Sequence, residues 1–122
     1  MQRRRRETHS TRVGGKRYIW YTDRLWKLAR ELPEFEIEVE SIRELDRDCW
    51  FGTGRAPTIR EVAAHCRRIN EANSEFPVIL NEDGGLMDGG HRLARALLEG
   101  SRTIKAVQFA QTPEPDVIEE IC

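Results

Sequence analysis

The sequence has no long apolar run, few aromatic residues and only three cysteines. No segment approaches the roughly 20 consecutive apolar residues that a membrane-spanning helix needs, so no membrane span is expected. The arginines near the amino terminus are not followed by an apolar stretch, so a secretory signal is not expected either. The cysteines are odd in number and no pair has zinc-ligand spacing, which argues against a zinc site and favours a location in a reducing cytoplasm.

Positive and negative charges nearly cancel over the 122 residues, with a formal net charge of -1, but they are distributed unevenly. Residues 1–30 contain ten Lys or Arg and two acidic residues, whereas residues 31–48 contain eight acidic residues and two arginines. A nucleic acid would therefore be met at the amino-terminal end of the chain. The length predicts one domain with tails.

The two ends of the chain are predicted to lie outside this domain. Residues 1–17 lack apolar periodicity and contain a Gly pair, so they are predicted to form a mobile basic arm. The arm is interpreted either as a solubilising tail or as a segment that contacts the phosphates of DNA. The domain is assigned to residues 18–111, and residues 112–122 to a tail or a short helix through Val117, Ile118 and Ile121.

Apolar periodicity predicts a helix and a strand at the start of the domain. The helix is capped by Thr22 and ends before Pro33. The stretch "FEIEVE" alternates between apolar and acidic residues, which predicts a strand with Phe35, Ile37 and Val39 on its buried face.

Two stretches carry the capping-box signature, in which a Ser or Thr and a Glu three residues later close the start of a helix. "SIRE", residues 41–44, predicts a short helical turn, and "TIRE", residues 58–61, predicts a helix that reaches about Ala72. The buried stripe of the second helix is predicted to consist of Ile59, Val62, Ala63, Cys66 and Ile69.

The second half of the domain alternates strands, turns and a helix. "FPVIL" predicts a strand, "NEDGG" a turn and "LMD" the returning strand. A helix is predicted from about His91 to Glu99, ended by Gly100, and "TIKAVQF" supplies another strand. The fold class is therefore α/β or α+β, with a small mixed sheet flanked by helices.

The stretch "LMDGGHRLARALLEG" places an acid, two glycines, a histidine and an arginine between a strand and a helix. Two glycines permit a bend or a close approach that a side chain would obstruct. If the helix begins near Gly90, its first amides and its dipole favour an anion, for which phosphate is the natural candidate. Arg92 would add a fork of donors, and His91 a hydrogen bond and a charge that changes near neutral pH.

Asp88 does not fit passive binding of an anion. A carboxylate beside a phosphate would carry a magnesium ion, accept a proton from an attacking hydroxyl or orient His91. The alternative that needs no ligand is that Asp88 caps the helix and Arg92 forms a surface ion pair.

The stretch "PVILNEDGGLMDGGHRLARALLEGSRTIKAVQF" resembles the ParB/sulfiredoxin-like superfamily, in which a strand ends in a Gly-containing His-Arg or Arg-Arg motif before a helix, a Gly and a closing strand. The resemblance extends from about Ile37 to Phe109 and is best from Pro77 onward. It implies a compact α/β domain that binds the phosphates of a nucleotide at the start of the helix.

The branches of that superfamily differ in the residues of this motif. Sulfiredoxins have a catalytic cysteine where this chain has Gly90, which argues against their chemistry. ParB proteins bind cytidine triphosphate through a Gly-Glu-Arg-Arg box, which Gly89 and Arg92 match in part, but their DNA-reading helix-turn-helix region has no room here. The closest motif is the Asp-Gly-His-His-Arg of free-serine kinases, matched by Asp88, Gly89, His91 and Arg92.

The kinase-like motif leads to the first of three functional hypotheses. Gly89, Gly90, His91 and Arg92 would hold the phosphates of a nucleoside triphosphate such as ATP or CTP. Asp88 and His91 would catalyse phosphotransfer or triphosphate hydrolysis, with Mg²⁺ on Asp88. The resemblance also implies an upstream glutamate, for which Asp46 or Asp48 would substitute.

The other two hypotheses involve DNA. The second is a DNA-associated accessory domain without catalysis, whose basic arm contacts the DNA backbone. The third is a metal-dependent nuclease that uses Asp88.

Overall fold

The computed structural model describes residues 6–52 and 56–121, and these residues form two small sheets and three α-helices. In chain order the elements are β1 Thr8–Val13, β2 Lys16–Tyr21, α1 Thr22–Ala29, β3 Phe35–Glu38, α2 Ile59–Glu71, β4 Val78–Leu80, β5 Leu86–Asp88, α3 Gly90–Leu98, β6 Thr103–Gln108 and β7 Val117–Glu120. Two 3-10 turns, Val39–Ser41 and Arg43–Asp46, follow β3. The predicted α+β class is confirmed.

The four-stranded sheet has the order β3-β6-β4-β5 and carries the core. β4 runs parallel to β6 and the other neighbours are antiparallel, so the predicted small mixed sheet is confirmed. One face packs against Leu93 and Ala96 of α3, and the other packs against Trp20, Leu25 and Ala29 of β2 and α1. Because β4 is an inner strand covered on both faces, all three of its residues are buried.

The strand predicted at "FEIEVE" is shorter and more exposed than expected. β3 ends at Glu38, and the buried Val39 begins the first 3-10 turn instead. Phe35 is 39% exposed, which contradicts its predicted burial. β3 lies at the edge of the sheet and pairs only with β6, so the core covers its apolar face incompletely.

Residues 8–17 of the predicted arm belong to a sheet. They form β1 and the beginning of β2, which pair as an antiparallel hairpin closed by Gly14 and Gly15. Gly14 has φ +62°, the left-handed conformation that a two-residue hairpin turn requires. β1 is polar and exposed, so apolar periodicity did not indicate it. Residues 1–5 of the predicted arm lie outside the described residues.

The carboxyl-terminal segment is a strand rather than a short helix. β7 pairs with β2 and completes the sheet β1-β2-β7, which places residues on both sides of the predicted boundaries at 18 and 112 in one sheet. Side chains reinforce this pairing: Nε1 of Trp20 donates to the carbonyl of Pro113 at 2.8 Å, and the amide of Tyr21 donates to Asp116 at 2.8 Å.

Helix α1 forms where it was predicted, but Thr22 does not cap it. Tyr21 occupies the cap position without a side-chain hydrogen bond, and Thr22 is the first, buried residue of the helix. The helix ends at Ala29, before Pro33. Among the described residues, no helix is long and apolar enough to cross a bilayer.

The two capping-box signatures have different outcomes. At the start of α2, Thr58 accepts from the amide of Glu61 at 3.2 Å and the Glu61 carboxylate accepts from the amide of Thr58 at 3.0 Å, so this box is confirmed. Ser41 instead ends the first 3-10 turn and donates to the carbonyl of Glu38 at 2.7 Å. The predicted box at Ser41 is therefore wrong, although the helical turn exists.

Helix α2 packs through a different face from the predicted one. The predicted stripe is mostly exposed, with Ile59 91% and Val62 43% exposed, and only Ile69 of its five members is half-buried. The half-buried positions of α2 and its cap are Glu61, His65, Ile69 and Ala72. Arg95 of α3 donates to the carbonyls of Asn70 and Ala72, which anchors the end of α2 in this orientation. The rotation turns His65 towards α3.

Replacing the capping threonine is expected to cost more stability than replacing the serine of the unformed box. Thr58→Ala removes the acceptor for the Glu61 amide and should lower the free energy of unfolding by about 1 kcal/mol. Ser41→Ala, the matched control, should change it by less than about 0.5 kcal/mol because Ser41 is exposed and caps no helix. Urea unfolding measures both, and equal losses would contradict the assignment.

Candidate functional site

The bend between β5 and α3 requires glycine at position 89. Gly89 has φ +107°, a conformation that L side chains rarely adopt. A Cβ on Gly89 would lie 2.7 Å from Cγ1 and 3.2 Å from Cα of Val78 in β4. The sequence predicted a bend or a close approach here, and the structure contains both, with Val78 as the approaching residue.

The first three N–H groups of α3 have no hydrogen-bond acceptor among the described residues. The first helical hydrogen bond runs from the amide of Leu93 to the carbonyl of Gly89 at 2.9 Å. The amides of Gly90, His91 and Arg92 precede it, and no described residue accepts from them. No side chain caps the helix, so the alternative in which Asp88 caps α3 is wrong. Three donors without acceptors at a helix start are suited to bind an anion.

Asp88 is held by a hydrogen bond from the indole of Trp26 in α1. Its Oδ2 accepts a hydrogen bond from Nε1 of Trp26 at 2.7 Å, which ties the end of β5 to α1. Among the described residues, Oδ1 of Asp88 has no hydrogen-bond partner. The carboxylate therefore keeps an oxygen for a metal ion or a proton.

Arg92 extends between two aromatic rings rather than towards a carboxylate. Its guanidinium carbon lies 5.3 Å from the ring centroid of Trp26 and 5.8 Å from that of Phe76. Its Nε is buried and has no acceptor among the described residues. No described carboxylate lies within ion-pair distance of Arg92, so the predicted surface ion pair is wrong. A positive charge without a neutralising partner thus lies one turn into α3.

His91 forms a hydrogen-bonded pair with His65 of α2. Nε2 of His91 and Nδ1 of His65 are 2.7 Å apart. The indole of Trp50 stacks on both imidazoles, with ring centroids 4.8 Å from His91 and 4.6 Å from His65 and interplanar angles of 5° and 14°. Phe51 meets His65 edge-on at 5.1 Å. The paired imidazoles are therefore held in position by aromatic rings as well as by their own hydrogen bond.

Burial keeps the histidine pair neutral. Burial lowers the pKa of His91 to about 4; a proton on His65 and the positive charges of Arg68 and Arg92 add to this effect, and Asp88 opposes it. Burial also lowers the pKa of His65. The prediction that His91 changes charge near neutral pH is wrong, because His91 is a neutral imidazole there.

Trp50 covers part of the helix start and explains why position 90 has no side chain. A Cβ on Gly90 would lie 3.2 Å from Nε1 of Trp50. Asp48 holds this ring in place, since its Oδ1 accepts from the amides of Trp50 and Phe51 at 2.9 Å each. Asp48, one of the two acids proposed from the resemblance, therefore shapes the loop over the site, and Asp46 is exposed in the second 3-10 turn.

Two depressions of the surface lie away from the α3 start, and the described residues form no preformed metal site there. One depression, of about 350 Å³, lies beside Val39 and Gly100, and the other, of about 320 Å³, lies along Arg95 and Lys105. In the described part of the chain, no group of three or more His, Cys, Asp or Glu side chains is placed to hold a metal ion.

Two basic side chains of the described amino-terminal segment, those of Arg6 and Arg17, contact acidic residues. Arg6 binds Asp23 at 2.9 Å and its guanidinium lies 3.7 Å from the ring centroid of Tyr21. Arg17 is 3.9 Å from Glu119, and Lys16 pairs with Glu120 in the register of β2 and β7. Acidic residues of β7 thus offset part of the positive charge that the sequence placed on an arm.

Sequence reasoning missed four residues that surround the α3 start: Trp26, Trp50, His65 and Phe76. None of the four was assigned a role at this site in the sequence analysis. The aromatic residues are visible in the sequence, but the sequence does not show which residues they contact.

Comparison with protein-family models, curated proteins and solved structures finds no match for this chain. The ParB/sulfiredoxin-like resemblance stays a prediction.

Alanine at position 89 is expected to disrupt the bend. Gly89→Ala combines an unfavourable φ with a Cβ that meets Val78, so it should lower the free energy of unfolding by about 3 kcal/mol. Gly100→Ala is the matched control, because Gly100 has φ +73° but open space around it, and it should cost only about 1 kcal/mol. Urea unfolding compares the two, and a Gly89→Ala loss no larger than the control would show that Val78 does not constrain the bend.

Stability is expected to decrease on acidification partly because of His91. The pKa of His91 is about 4 in the folded protein against an ordinary value of 6.5, so protons bind preferentially to the unfolded chain. Its contribution to stability is present above pH 6.5 and is lost as the pH falls towards about 4. The lowered pKa values of His9 and His65 act in the same direction.

Urea unfolding over this pH range measures the effect. In His91→Gln the decline should be shallower than in the unmodified protein, because one of the titrating groups is gone. Parallel declines would contradict the low pKa of His91.

Proposed function

We propose that the start of α3 binds the phosphate groups of a nucleoside triphosphate. The observation that carries the proposal is that the first three amides of α3 and the guanidinium of Arg92, all from the first turn of the helix, have no acceptor among the described residues. A helix start favours an anion by about 0.3 to 2 kcal/mol, and a guanidinium adds charge-assisted hydrogen bonds.

The surroundings favour a negative ligand. Burial is the main cause of the low pKa of His91, and the nearby positive charges of Arg68 and Arg92, which contribute to it, would also attract an anion. His91 would therefore meet a phosphate oxygen as a neutral hydrogen-bond donor. Trp26 and Phe76 on one side, and Trp50 on the other, add aromatic surface that suits a nucleobase.

Asp88 is the group that would connect binding with chemistry. Its carboxylate lies at the end of β5, immediately before the bend, and one oxygen is engaged by Trp26. The other oxygen would hold Mg²⁺ bound to the phosphates or accept a proton from an attacking hydroxyl. The resemblance to free-serine kinases and to ParB proteins makes ATP and CTP the nucleotides to test, with phosphotransfer or hydrolysis as the reaction.

Calorimetry with ATP and CTP in the presence of Mg²⁺ tests the binding site. Arg92→Ala is expected to weaken binding about tenfold or more, because it removes a charged donor. Arg102→Ala is the matched control: Arg102 has an 86% exposed side chain, lies beyond the other end of α3 and should leave the affinity unchanged. Absence of binding for both nucleotides, or equal affinities for the two variants, would refute the proposal.

Asp88→Asn separates binding from chemistry. An asparagine keeps an oxygen that can accept from Trp26 but loses the charge that a metal ion or a proton requires. Phosphorus NMR should show Mg²⁺-dependent conversion of the triphosphate by the unmodified protein and its loss in the variant. The same pair, incubated with DNA and Mg²⁺ or Mn²⁺, tests the nuclease hypothesis from the sequence.

A further inference from the structure

The hydrogen bond between His65 and His91 limits which ring nitrogen of His91 can donate to a ligand. A neutral imidazole carries its proton on one ring nitrogen and has a lone pair on the other. The 2.7 Å separation between Nδ1 of His65 and Nε2 of His91 requires one of these nitrogens to donate and the other to accept. The tautomer of one ring therefore determines the tautomer of the other.

Only one of the two arrangements lets His91 donate to an anionic phosphate oxygen. If Nε2 of His91 donates to His65, then Nδ1 of His91 carries a lone pair that repels an anionic oxygen. If Nδ1 of His65 donates, then Nε2 of His91 accepts and its proton is on Nδ1, the ring nitrogen that His65 leaves available. This second arrangement offers a donor to the ligand beside the amides of α3.

We propose that His65 is a positioning residue for the phosphate site: it donates from Nδ1 to Nε2 of His91 and thereby keeps the proton of His91 on Nδ1. The inference rests on the proposed function and assigns a role to a residue of α2. Trp50 supports the arrangement, because its indole stacks on both imidazoles and restricts rotation of either ring. His65 itself acts through His91 and need not contact the ligand.

Long-range proton–nitrogen NMR on the imidazoles tests this directly, because protonated and unprotonated ring nitrogens have different nitrogen shifts. The full chain is titrated with inorganic phosphate as the probe. At saturation, His91 is expected to carry its proton on Nδ1. In His65→Leu, Nε2 of His91 loses its donor, so His91 should show a mixture of tautomers and the phosphate Kd should rise about fivefold to tenfold.

His65→Asn tests for rescue, since the asparagine side chain can place an N–H near the position of Nδ1. It should restore both the Nδ1 proton of His91 and most of the phosphate affinity. Cys66→Ser, an exposed neighbour on α2, is the control and should change neither. If His65→Leu is unfolded, the nitrogen shifts of the asparagine variant and of the unmodified protein still report the tautomer.

The outcomes distinguish the two claims. If phosphate binds the unmodified protein and His65→Leu with equal affinity, and His91 has the same tautomer in both, the role of His65 is refuted while the phosphate site stands. A phosphate-saturated protein with the His91 proton on Nε2 also refutes it. If phosphate does not bind the unmodified protein, the proposed function fails and this inference fails with it.

Discussion

The contact between Gly89 and Val78 is the constraint on which the candidate site depends. Val78 occupies the space that a side chain at position 89 would need, so β5 turns into α3 directly against β4. Because this contact fixes the start of the helix, it also fixes the direction of the residues that follow. Leu93 points into the core, Arg92 towards α1, and His91 towards α2.

Aromatic rings surround the polar groups at the α3 start without neutralising them. The guanidinium of Arg92 lies near two rings, and the paired imidazoles lie under the indole of Trp50. Such surfaces exclude water and strengthen electrostatic interactions with a ligand, because the local dielectric constant is lower than in water. They also raise the cost of charging an imidazole, which is why His91 is neutral at pH 7.

Local patterns predicted those parts of the fold whose signal lies within a few neighbouring residues. The capping box at Thr58, the bend at Gly89 and the end of α3 near Gly100 all formed, because each depends on nearby backbone groups or on a φ that glycine favours. Predictions failed where distant residues decided the outcome. The edge strand β1 is polar from Thr8 to Arg12 and becomes a strand because β2 provides its hydrogen-bond partners.

The buried face of α2 and the contacts of the site residues also depend on distant residues as well as on the local sequence. By itself the sequence determined that α2 is an amphipathic helix and that an acid, two glycines, a histidine and an arginine surround the start of α3. Only the tertiary structure decided that α2 turns His65 towards α3, that Asp88 binds Trp26, and that Arg92 lies between rings. The reason is physical: periodicity reports which residues share a face, whereas the packing of α2 on α3 selects the face that is covered.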